Sequence, residues 1–135
     1  MIDYFKPCYM GWHRPYTFFY NIRETFYWLR SCHQRAFKGW ADCDCWDMDY
    51  YLSKIIPAML RDLKDNRFGQ PEELTEEEWD KKIDEMIEGF EAARRVIDLD
   101  YPDNGEDLGK MVNADQKLFK AKGKLFIKWF FDLWD

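Results

Sequence analysis

The chain has 135 residues, a formal charge of −6 and an aromatic share of 19%. That length suits one domain with an adequate core, and the acidic balance argues against a general nucleic-acid binder, because affinity for phosphate rests mainly on Lys and Arg. Asp3 interrupts any apolar secretory segment ahead of the four cysteines, Cys8, Cys32, Cys43 and Cys45, so reduced thiols are expected rather than disulfides.

Residues 1–14 read as an irregular N-terminal segment, punctuated by Pro7 and Gly11 and closed by Pro15. Over residues 15–37 a helical period follows, with Phe18 or Phe19, Ile22, Phe26, Leu29, Cys32 or His33, and Ala36 near one face. Arg23, Arg30, Arg35 and Lys38 make this first helix basic as well as aromatic, and Gly39 suits its end. The uncharged aromatic run over residues 16–22 is too short to cross a bilayer, so no membrane span is expected. Packing of this helix into a bundle is preferred over a position on a membrane surface.

A second helix is predicted over residues 44–65, where Met48, Leu52, Ile55, Ile56, Met59, Leu60 and Leu63 form a wide apolar stripe. Pro57 inside it removes one backbone donor near the Ser53 carbonyl and predicts a kink. The loop over residues 66–71 carries Gly69 and Pro71. Thr75 followed by Glu78 is a capping box, and Glu76 and Glu77 favour the positive end of a third helix. Trp79, Ile83, Met86, Ile87, Phe90, Ala93 and Ile97 give its buried stripe. A turn over residues 100–105 leads to a fourth helix over residues 106–134, with Leu118, Phe119, Leu125, Phe126, Trp129 and Leu133 at helical spacing. No segment alternates as a strand would. The expected architecture is therefore all-α: a single-domain bundle of about four helices spanning residues 1–135, the second kinked at Pro57.

Charge is spread unevenly along these elements. Residues 1–40 carry six basic side chains against two acidic, whereas residues 67–107 carry five against fifteen. Basic ends and an acidic middle can attract one another within one fold, and most acidic helices are solvated faces supported by lysines and arginines one turn away. The sharper alternative is that Glu76, Glu77 and Asp80 belong to a face imitating nucleic acid for a host protein.

The densest chemistry lies in residues 39–49. Asp42, Asp44, Asp47 and Asp49 crowd a helix start together with Cys43, Cys45, Trp40 and Trp46. Capping and ion pairing account for carboxylates in such positions, with Asp49, near the apolar stripe, expected to seek an arginine of the first helix. The competing reading is a divalent-metal site in which Asp42, Asp44 and Asp49 converge with glutamates of the third helix, as in a metal-dependent nucleotide hydrolase. A calcium loop is excluded: Trp46 stands where an oxygen ligand belongs, and Asp47 where a glycine must turn the chain. Cys43 and Cys45 with Cys32 and His33 match no common zinc spacing, and two histidines give little basis for a catalytic triad. No glycine-rich phosphate loop is present. Neither a metal nor a cofactor is expected.

Several segments taken together carry a resemblance. They are Gly39-Trp40-Ala41-Asp42 with Asp44, Trp46 and Met48-Asp49; Ile55-Ile56-Pro57; and Glu73-Leu74-Thr75-Glu76-Glu77-Glu78-Trp79. Met86-Ile87 with Gly89-Phe90-Glu91 continues the pattern, and Leu118-Phe119, Trp129-Phe130 and Leu133-Trp134 close it. Over residues 38–134 the chain resembles a family of small, uncharacterised tailed-bacteriophage proteins. The resemblance implies a phage origin and a host-cytoplasm setting. Cys43 and Cys45 stand outside the shared pattern.

With no assembled catalytic set, the leading expectation is a non-catalytic accessory protein that binds and inhibits a host enzyme or an anti-phage defence effector. Candidate binding residues are Trp40, Asp42, Asp44, Trp46, Asp49, Glu76, Glu77, Asp80 and Trp134. Sequestration of a nucleotide signal is a variant that needs Trp40 and Trp46 beside arginines. Ile127, Phe131 and Trp134 fall off the main face of the last helix and leave room for a homo-oligomer or a partner contact. The alternatives are the metal-dependent hydrolase and a minor virion component.

Overall fold

The computed structural model describes residues 18–103 and 107–134, with side chains from residue 23 onward. The expected irregular segment at residues 1–14 lies outside the described residues, as do Cys8 and His13. Every regular element among the described residues is helical. In chain order they are α1 (Phe18–Lys38), α2 (Asp42–Trp46), α3 (Met48–Asn66), α4 (Glu76–Asp98) and α5 (Leu108–Lys128), followed by a 3-10 turn at Phe130–Asp132. Contacts gather the chain into two compact units, Met1–Met48 and Asp49–Asp135.

The first unit holds α1 and α2. Gly39, at φ +84°, takes the left-handed conformation that ends α1, and its N–H bonds the Arg35 carbonyl at 3.0 Å. The helix expected to begin near residue 44 is instead two helices. Asp47, at φ −118° and ψ 57°, leaves helical geometry between them. A local periodicity argument cannot detect this break, because neither a glycine nor a proline stands there to mark it. The apolar stripe expected to bury α1 is also left open: Phe26 and Leu29 are exposed, while Ser31, Cys32, Gln34 and Arg35 form the half-buried face.

The second unit contains the apolar core. Leu60 of α3, Trp79, Ile83, Met86 and Ile87 of α4, and Trp129 are buried together. Ile56, Leu74, Leu125, Phe126 and Leu133 pack against them. Helix α3 runs through Pro57, which is buried. Helix α4 begins as its sequence demands. Thr75 Oγ1 accepts from the Glu78 N–H at 3.3 Å, and the Glu78 carboxylate accepts from the Thr75 N–H at 3.0 Å.

Helices α4 and α5 pack antiparallel, since Arg95 meets Asp115, Phe90 meets Phe119, and Trp79 meets Trp129. The helices come closest at Gly89, where an added Cβ would stand 2.6 Å from Lys122 Cβ. Edge-to-face ring pairs line the contact, with centroids 5.5 Å apart for Trp79–Trp129 and 5.3 Å for Phe90–Phe126. Each such pair is worth about 0.5–1.5 kcal/mol beyond the area it buries. The connection out of α4 is shaped by Leu99, whose left-handed backbone (φ +51°) turns the chain, with its N–H returned to the Arg95 carbonyl. Arg95 then grips Asp115 with two hydrogen bonds, at 2.8 and 2.7 Å, and Tyr101 donates to the same carboxylate at 2.9 Å.

Candidate functional site

The α1–α2 corner brings Asp42 and Asp44 into one charged cluster. Their positions follow from the turn at Gly39, which carries the chain back along the last turns of α1. Asp44 lies buried at the start of α2, where its carboxylate reaches back to the Ala41 N–H at 2.7 Å. Arg35 approaches the same carboxylate as a fork, with Nε at 2.9 Å and a terminal nitrogen on the other oxygen. Burial alone would raise the Asp44 pKa, but the Arg35 hydrogen bonds, the Ala41 N–H and the guanidinium charge outweigh it and hold the carboxyl below its ordinary value. Among the described residues, the Arg35–Asp44 pair is the most enclosed ion pair of the unit, with side chains 13% and 4% exposed.

Asp42 sits on the open side of the corner. Gln34 Nε2 donates to it at 2.7 Å and Arg30 at 2.8 Å, while Lys38 Nζ stands at 3.8 Å. The Gln34 hydrogen bond, followed by the charges of Lys38 and Arg30, lowers the Asp42 pKa. Gln34 also accepts from the Asp42 N–H at 3.0 Å, so its amide serves both backbone and side chain of one residue. Cys43 fills the space between, its sulfur 3.8 Å from Ser31 Oγ, from an Arg35 nitrogen and from an Asp44 oxygen.

The other sequence candidates lie elsewhere. Trp40 and Trp46 belong to the same unit and are exposed, Trp46 to 89%. Asp49 opens the second unit, is exposed and accepts from the Tyr50 N–H at 2.9 Å. Glu76 and Glu77 occupy the exposed first turn of α4, and Asp80 is paired with Arg67 at 2.6 Å. Trp134 is exposed at the end of the second unit. Among the described residues, no group of three or more His, Cys, Asp or Glu side chains is arranged to hold a metal ion. No helix of the described residues is long and apolar enough to cross a membrane.

Sequence reasoning missed Gln34 as a holder of Asp42 and the basic row that neutralises α4. Arg61, Lys64 and Arg67, three residues apart along the chain, pair with Glu91, Asp84 and Asp80 respectively. Lys122 of α5 faces Glu85 and Glu88 at 3.8 and 3.6 Å. The three-residue spacing of those cations was the available signal. Most of the carboxylates of α4 thus answer cations inside their own unit, which leaves few to imitate a phosphate backbone. What the α1–α2 corner can do chemically is present indoles at its rim; the carboxylates of Asp42 and Asp44 are already occupied as hydrogen-bond acceptors. No protein-family model, curated protein or solved structure matches this chain.

Proposed function

We propose that this chain is a bacteriophage accessory protein that acts in the host cytoplasm by binding, and that it inhibits a host enzyme or an anti-phage defence effector. The observation that carries the reading is the aromatic rim of the first unit. Phe37, Trp40 and Trp46 are exposed around a corner where Asp42 and Asp44 are matched by Arg30 and Arg35. Aromatic side chains and arginines are what protein interfaces concentrate at their energetic centres, and monomeric surfaces seldom carry so many large rings without a use. A protein is favoured over a nucleotide as target, because Arg30 and Arg35, the cations that would hold a phosphate near Trp40 and Trp46, are engaged by Asp42 and Asp44.

The test is affinity capture from host lysate with the full chain and with a Trp40→Ala/Trp46→Ala double variant. One host protein retained by the first and lost by the second is the expected outcome. A thermal-shift screen with nucleotides is expected to give no shift. Absence of any retained partner, together with no effect of expression on host growth or phage plating, would overturn the reading.

A further inference from the structure

We infer that a row of lysines on the outward face of α5 binds the phosphate chain of a single-stranded nucleic acid, with the rings beyond the helix stacking on its bases. Charge sets this row apart. Every described arginine meets a carboxylate, and so do Lys38, Lys64, Lys82 and Lys122. Lys110, Lys117, Lys120 and Lys124 meet none among the described residues. The one carboxylate within α5, Asp115, is held by Arg95 and Tyr101. In a chain with 26 acidic side chains against 20 basic, carboxylates are in surplus, yet these four exposed lysines go unanswered. The net charge opposes nucleic acid over the surface at large. It acts weakly beyond a Debye length, and so leaves a local positive row effective at contact.

The arrangement of the row favours a strand over a lipid surface. Lys117, Lys120 and Lys124 share one helix face, with axial rises of about 4.5 and 6 Å between them, and Lys110 extends the line by two turns. Cations in single file follow a linear polyanion. The other exposed positions between Lys110 and Lys124 are Asn113, Ala114, Gln116 and Ala121, which are polar or small. A helix lying on a membrane needs an apolar face along its length, and this one has none there. The rings come only at the end of the row, where Phe131 is 87% exposed and Trp134 72%. Phe126, Phe130 and Phe131 stack edge to face, with centroids 5.8 and 5.6 Å apart, which fixes the outer ring from the core outward. A cationic track that leads to exposed rings is the combination by which proteins hold unpaired bases without reading their sequence, and a duplex keeps its base faces covered.

Fluorescence anisotropy of a labelled oligothymidylate of about 20 nucleotides, titrated with the full chain, tests the inference. The expected result is saturable binding of about micromolar strength in low salt, with log K falling against log salt at a slope of roughly −3 for four phosphates neutralised. A mononucleotide spans too little of the row to compete. Lys120→Glu/Lys124→Glu is expected to weaken binding by about tenfold or more and to flatten the salt slope, with unchanged helical circular dichroism. Phe131→Ala/Trp134→Ala is expected to weaken it about tenfold and leave the slope as it was, since rings carry no charge. No binding at about 100 μM protein in low salt overturns the inference, as does binding that survives the lysine substitutions. Equal affinity for a duplex of the same length overturns it too. So does flotation with anionic vesicles by a chain that ignores the oligonucleotide, which would assign the row to lipid. Because these substitutions lie outside the first unit, loss of strand binding with host-protein capture retained would separate this inference from the proposed function.

Discussion

Asp44 shows how one side chain can decide a local structure. Its carboxylate holds the Ala41 N–H and the Arg35 fork at once, and it does so nearly out of contact with water. Removing one member of such a pair leaves the other charged and buried, so Asp44→Asn is expected to destabilise the corner by about 3 kcal/mol. Hydrogen-exchange protection at the Gly39 and Asp44 amides reads that loss. The pH dependence follows from the direction of the shift. Because the folded carboxyl sits below its ordinary value of 3.8, the stability it adds is complete above that value and is lost as the pH falls through the lower folded one. Asp115, lowered chiefly by its hydrogen bond from Arg95, behaves in the same sense in the second unit. Acid unfolding of the corner in Asp44→Asn should therefore show a flatter pH profile below pH 4 than the wild type.

At the scale of elements, α4 and α5 are held by a close backbone approach at one glycine and not at the other. Gly89→Ala forces a methyl to within 2.6 Å of Lys122 Cβ, whereas a methyl at Gly123 meets nothing nearer than a Phe119 ring carbon at 3.8 Å. The first substitution is expected to destabilise by about 1–3 kcal/mol, despite the helix preference of alanine. The second is expected to stabilise by up to about 1 kcal/mol. Urea midpoints with unchanged slopes would establish both. This scale also shows what the sequence could reveal. Helix α4 is legible in its start, a four-residue capping box, and in its buried stripe from Trp79 to Phe90, both local signals; beyond that Ala92 is buried, while Ala93 and Ile97 are only half-buried. The break at Asp47 is not legible, because no glycine or proline marks it in the sequence. The candidate site was legible as a set of residues and as a choice between ion pairing and metal binding. Which cation met which carboxylate depended on the turn at Gly39 and could not be read from spacing.

At the scale of the whole molecule, the apolar core cluster of the described residues lies within the unit Asp49–Asp135. Among the described residues, the first unit buries only Ala41 of its apolar side chains, and its order rests on hydrogen bonds and ion pairs. A fragment of residues 49–135 is accordingly expected to unfold cooperatively in urea, with retained far-ultraviolet helicity. A fragment of residues 18–48 is expected to be largely unfolded in isolation, because surface charge pairs contribute little without a core beneath them. Loss of cooperativity in the longer fragment would contradict this division of labour.

Leu99 turns the chain in a conformation that disfavours any residue with a Cβ, and its side chain projects into solvent without recompense. The Arg95–Asp115–Tyr101 clamp beside it holds the strained joint shut. Helix α4 therefore carries a small unrealised reserve of thermal tolerance at one surface position. Leu99→Gly should release about 0.5–1 kcal/mol of torsional strain and raise the melting temperature by roughly 4 °C. Differential scanning calorimetry is the direct measurement of that gain.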